Sequence, residues 1–213
     1  MIILLNDIMI RRLFSWQLIV MMTFFCQSQN VVPIFQAPID TPNNTYYKDL
    51  DNDFNPYVGK WKWSEGSNSL TIVFDKVVMV PDGNDYEDLL VGAYIYVERN
   101  TERVNTFPLA KDLKKINNNH IINLLITDKI KPFMPTCPEC PKNVRYITLS
   151  ITEPKASGVY GKACMVYFVD DGIEKIRIRF WNAYNENLRA DYNGPMYLAI
   201  PEMSLFTLTK QLP

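Results

Sequence analysis

Ala163-Cys164-Met165-Val166-Tyr167-Phe168-Val169-Asp170-Asp171-Gly172-Ile173-Glu174-Lys175-Ile176-Arg177-Ile178-Arg179-Phe180 carries the strongest strand–turn–strand signal in the chain. An Asp-Gly pair between two β-patterned runs favours the two-residue primed turn, whose twist matches that of the strands it joins. A turn at Asp171-Gly172 sets Val169 against Glu174, Tyr167 against Ile176, Met165 against Ile178 and Ala163 against Phe180. The last three pairs are mainly apolar and share one face, while Lys175, Arg177 and Arg179 share the other. The same register sets Cys164 opposite Arg179, on the charged side, where it is expected to be exposed and reactive.

Outward from this hairpin the β pattern persists. Ile147, Leu149 and Ile151 alternate with Thr148, Ser150 and Thr152, and His120 to Thr127 is a further strand. Downstream, the turn Asn193-Gly194-Pro195 precedes closing strands at Met196 to Ile200 and Ser204 to Thr209. Upstream, Gly59-Lys60-Trp61-Lys62-Trp63 puts both tryptophans on one face and both lysines on the other. Glu65-Gly66-Ser67-Asn68 then turns the chain into Leu70 to Asp75. Pro81 to Asp85 is the next turn, followed by strands at Leu89 to Val97 and Arg103 to Phe107. Leu109 to Ile116 is read as one or two helical turns. Eight to ten short strands with little helix give a mainly β domain. A sandwich and a barrel both hide sheet edges; consecutive strands through tight turns favour a single antiparallel β-barrel.

The N-terminus reads differently. Arg11 and Arg12 precede the apolar run Leu13 to Phe25, whose 13 residues fall short of the roughly 20 that span a bilayer. This is the layout of a secretory signal, with cleavage expected after Ser28 and Met9 as the better start. Residues 1–28 are therefore read as a signal peptide. A lipid anchor at Cys26 is the rival, and Phe25 stands where lipid processing needs a small residue. Removing the signal moves the formal net charge from −1 to −2, a balance that leaves no footprint for nucleic acid. The 47% hydrophobic content is that of a globular chain. Residues 29–56, punctuated by Pro33, Pro38, Pro42 and Pro56 among Asn and Asp, are read as a linker without regular structure. The β domain then covers 57–213.

Asn55-Pro56-Tyr57-Val58-Gly59-Lys60-Trp61 resembles the opening of the lipocalins and other calycin-type barrels, with Gly59 and Trp61 in its Gly-x-Trp. The resemblance implies a tryptophan closing the base of a barrel beneath a late arginine. No such arginine is assigned: Arg189 stands in a polar turn, and the chain closes on Thr207-Leu208-Thr209-Lys210 without one. More broadly, residues 55–97, the Cys137-Pro138-Glu139-Cys140 loop and Ser204 to Lys210 resemble a family of uncharacterised exported Bacteroidetes proteins. That likeness implies a barrel and export, and no activity.

Chemistry-bearing residues are few. Cys137 and Cys140 lie in a loop with Pro132, Pro135, Pro138 and Pro141, which does not suit the helix N-terminus of a thioredoxin-type pair, and a four-ligand zinc site needs a second pair where only Cys164 and His120 remain. A local structural disulfide is expected in an exported protein, leaving Cys164 odd. Asp49-Leu50-Asp51-Asn52-Asp53 imitates a calcium loop, but Phe54 and Lys60 stand where glycine and glutamate are needed, so a solvated acidic linker is expected. Asp82, Asp85, Glu87 and Asp88 read as a polar turn. His120 is the only histidine, and no Gly-x-Ser-x-Gly elbow accompanies it. Gly59, Trp61 and Trp63 are expected to be structural core. No catalytic residue, metal ligand or cofactor is assigned, and no transmembrane helix is expected after the signal. The expected function is an exported, non-enzymatic barrel binding a small apolar ligand or an envelope partner protein. Two alternatives stand beside it: an accessory envelope protein with a solid core, and a secreted hydrolase.

Overall fold

The Asp171-Gly172 turn forms, and the strands it joins, β9 (Tyr160–Asp170) and β10 (Ile173–Ala183), pair in the expected register from Ile173↔Asp170 to Ala183↔Tyr160. Both turn residues have positive φ, 49° and 74°, as a primed turn requires. The computed structural model describes residues 29–34, 41–108, 123–127, 146–152, 160–183 and 197–212. The expected signal segment with Cys26, the 109–116 segment, His120, the Cys137–Cys140 loop and Arg189 lie outside them.

Among the described residues the chain forms one sheet of eleven strands. Before the hairpin come β1 (Asn30–Pro33), β2 (Thr45–Lys48), β3 (Gly59–Glu65), β4 (Asn68–Asp82), β5 (Asp85–Glu98), β6 (Thr101–Asn105), β7 (Asn123–Thr127) and β8 (Tyr146–Thr152); β11 (Leu205–Gln211) follows it. The order is β1-β2-β5-β4-β3-β11-β10-β9-β8-β7, with β6 beside β5. The meanders β3-β4-β5-β6 and β7-β8-β9-β10-β11 are joined where β11 pairs with β3, Lys210 opposite Trp61. The strand expected at Met196 to Ile200 does not form over its described part: residues 197–200 bend, and Leu198 and Ile200 bury their side chains in the core.

Two expectations are corrected. The sheet is mixed and open rather than a closed antiparallel barrel. The pairs β1–β2 and β2–β5 are parallel. The sheet curls until β7 approaches β5, yet no ladder joins them among the described residues. A strand has one free edge once its partner β4 is in place. That edge of β5 is taken by β2 at Tyr86–Glu87 and by β6 at Ile95–Glu98. The second correction concerns residues 29–56, which contribute β1 and β2 and the 3-10 turn Asn55–Tyr57. Proline and asparagine interrupt these strands without preventing them, because each strand is only four residues long.

The curled sheet turns one face inward. Trp61, Leu70, Ile72, Phe74, Leu90, Tyr94, Tyr96, Val104, Ile147, Leu149, Met165, Ile176, Ile178, Phe180, Phe206 and Leu208 alternate onto that face from eight strands and form one buried cluster. Trp63 packs edge-on against Phe206, ring centroids 4.7 Å apart, at the cluster's margin. Gly92 on β5 lets the core close: a Cβ there would stand 2.7 Å from the Val73 carbonyl oxygen and 2.8 Å from the Phe74 ring.

Candidate functional site

The Gly-x-Trp segment builds one end of the interior. Gly59 has φ 122°, a value that L side chains rarely adopt, and it starts β3 so that Trp61 points inward. Trp61 is fully buried, and its indole Nε1 donates to the Tyr57 carbonyl at 2.7 Å. The Tyr57 hydroxyl in turn accepts the Tyr167 backbone N–H at 3.0 Å, tying the 3-10 turn to β9. Tyr57 and Tyr167 meet edge to face, as do Trp61 and Tyr167. Over the Trp61 ring, at 5.4 Å from its centroid, sits the Lys210 ammonium. The cation over this ring is thus a lysine on the last strand, directly opposite the tryptophan in the β3–β11 register.

Lys210 Nζ also donates to Glu174 Oε1 at 2.8 Å, and the Tyr167 hydroxyl donates to the same oxygen at 3.0 Å. The Lys210 bond holds the Glu174 carboxyl below its usual range. Burial, and then the Glu174 contact, raise the Tyr167 phenol. Cation, carboxylate and phenol satisfy one another over an aromatic floor. Such an arrangement closes the end of a core and holds β3, β9, β10 and β11 together.

A second polar cluster fixes the N-terminal strands to the β4–β5 hairpin. The Asp49 side chain is fully buried; it accepts backbone N–H bonds from Asp53 and Phe54 at 2.7 and 3.1 Å and a salt bridge from Lys76 at 2.7 Å. Asp88, buried on β5, accepts the Tyr46 hydroxyl at 2.5 Å and the backbone N–H groups of Asp49 and Met79 at 3.0 and 3.1 Å. Met79 has φ 58° inside the irregularity between Val77 and Val80, where β4 is out of register with β5. Asp88 thus secures a bulge in a conformation unfavourable for a non-glycine residue. The solvated acidic linker expected at Asp49 and the polar turn expected at Asp88 are corrected: both carboxylates are buried and spent on N–H and O–H donors.

Glu87, next to this cluster and opposite Tyr47 of β2, behaves differently. Burial, with the Asp82 charge adding to it, pushes its carboxyl up from 4.5 to about 7. A raised folded-state value means that ionisation opposes folding. Glu87 therefore favours the fold fully below pH 4.5 and loses that contribution as the pH climbs through about 7. Glu87→Gln is expected to match the parent's unfolding midpoint near pH 4 and to exceed it at pH 8. Equal differences at both pH values would contradict the assignment.

Cys164 is also corrected. It stands opposite Arg179 as expected, but it is buried in a satellite cluster with Tyr146 and Val166, Trp181 packing alongside. The outward face of β8 and β9 is thus covered here as well as the inward one. Burial pushes the thiol up to about 12, so the reactive thiolate is suppressed. In native protein at pH 8 Cys164 is expected to resist alkylation, and to react after denaturation. Rapid native labelling, mapped by peptide mass, would contradict its burial.

The DUF6705 profile, that of a family of unknown function, matches residues 11–211. The chain belongs to the DUF6705 family. No curated protein and no solved structure matches the chain. Among the described residues of this DUF6705 chain, Gly59, Trp61 and Trp63 lie on β3 as one unit, and the structure adds Tyr57, Tyr167, Glu174 and Lys210 to them. Local sequence pattern alone assigns Asp49 and Asp88 to solvent. One signal was available for the latter: a carboxylate opening the apolar run Leu89-Leu90-Val91 leads into the core and needs donors there.

Proposed function

We propose that the protein is exported and non-enzymatic, and acts through its outer surface on a partner rather than as a carrier of apolar cargo. One observation supports this reading above the ligand-binding one. Trp61, Phe74, Phe180, Leu70, Met165 and Ile178, all fully buried, fill the inward face from both meanders. A carrier keeps a lined cavity of about 300 Å³ or more, whereas these side chains pack against one another. The solid-core reading is thereby preferred to the carrier reading, and the lipocalin-like features become a way of building a stable sheet. Export rests on the N-terminal pattern Arg11-Arg12 followed by Leu13 to Phe25. A Cys137–Cys140 disulfide fits that compartment. Titration with a fluorescent fatty acid tests the reading. No saturable uptake is expected; one-to-one uptake, quenched in Trp61 fluorescence, would restore the carrier.

A further inference from the structure

We infer that the outward face of β3, β11 and β10 binds a linear acidic polysaccharide lying along β11. This rests on the surface-acting reading and names the chemistry of the partner.

The register builds the face. Lys62 lies opposite Thr209, and Thr209 opposite Lys175, so the three side chains form one row across the sheet. Thr207 lies opposite Arg177 in the next row. Lys60 and Lys62 are exposed on β3, and Thr207 is exposed on β11. Side chains two apart on a strand repeat every 6.8 Å or so, and strands two apart in a sheet stand about 9.6 Å from each other. Two rails of cations, Lys60–Lys62 and Lys175–Arg177, therefore flank a trough floored by threonine hydroxyls. None of the outward positions on these three strands is acidic: Glu174, on β10, points inward to Lys210 and Tyr167. Across the rail, on β9, Asp170 holds Lys175 at 2.6 Å, and the Phe168 ring supports Arg177 at 5.1 Å, which orient the second rail.

Charge complementarity selects the partner. The whole chain carries −1, so this cationic face stands out against an acidic remainder and attracts a polyanion locally rather than by net charge. Threonine hydroxyls between the rails give and accept hydrogen bonds, which suits the hydroxyls of sugars. Single-stranded nucleic acid is disfavoured because the trough offers no aromatic platform for bases. A membrane is disfavoured because the exposed apolar side chains on these strands, Leu205 on β11 and Ile173 on β10, stand singly at opposite ends of the face and form no continuous rim to insert.

The test uses the full chain and heparin as the linear polyanion, with neutral dextran, anionic lipid vesicles and single-stranded DNA as comparison arms. Binding to heparin is expected at 50 mM salt, weakening as salt rises, with none to dextran. Lys60→Glu/Lys62→Glu is expected to weaken it about tenfold or more by removing two ionic contacts. Lys48→Glu/Arg99→Glu, which changes exposed cations elsewhere, is expected to leave it within about twofold. Circular dichroism of each variant shows that the fold is intact. Absence of heparin binding, equal loss in both double variants, or preference for vesicles or DNA over heparin would each overturn the inference. The fatty-acid titration separates the two readings: no uptake together with no heparin binding refutes this inference alone, whereas saturable uptake refutes the surface-acting reading beneath it.

Discussion

Trp61→Ala is expected to lower the unfolding free energy by about 3–5 kcal/mol, the range for a large aromatic removed from a packed interior. The loss has three parts. The indole is fully buried, so its deletion leaves a void between β3 and β9. The Tyr57 carbonyl loses its donor, and the 3-10 turn loses its tie to β3. The Lys210 ammonium loses the ring beneath it and keeps only Glu174. Trp63→Ala is expected to cost less, because Trp63 lies at the margin of the core against Phe206. Urea unfolding of both variants measures the difference. A Trp61→Ala loss below about 1 kcal/mol, or one smaller than that of Trp63→Ala, would contradict the packing described.

Asp49→Ala should be comparably damaging, at about 3–5 kcal/mol, since removing one partner of a buried ion pair strands the other. Lys76 keeps partial access to solvent, which favours the lower end of that range. The Asp53 and Phe54 N–H groups are stranded as well. The same change loosens the segment carrying β2 from β4, so proteolysis of the native variant should begin within 41–58. The cycle Asp49→Ala, Lys76→Met and their combination isolates the pair. Additive losses would mean that the ion pair contributes nothing and that the backbone donors alone matter.

The hairpin register was legible because two local signals agreed: Asp171-Gly172 demanded one turn geometry, and the alternation of Tyr167, Met165, Ile176 and Ile178 demanded the same pairing. The Gly66-Ser67 turn between β3 and β4 was legible for the same reason. What the sequence concealed is non-local. β1 and β2 are four residues each, too short for a period-two pattern; β1 pairs only with β2, and β2 finds its other partner 40 residues downstream on β5, beside Asp85 and Asp88. Closure failed as an expectation because up-and-down order says which strands are neighbours, not how two strands share one free edge of β5. Cys164 misled because β9 is buried on both faces, so that alternation no longer separates core from solvent. Lys210 carries no local sequence signal of its contact with Trp61. Its place opposite Trp61 follows only from the β3–β11 pairing, which joins the first long strand to the last.

The inward face is packed with the protein's own side chains, so the proposed action falls to its surface. A native mass spectrum of the protein purified from its own source tests this packing most directly. The expected mass equals that of the processed chain and is unchanged when the protein is denatured. A stoichiometric excess of a few hundred daltons, on the scale of a pocket-sized ligand, released on denaturation and soluble in organic solvent, would contradict it.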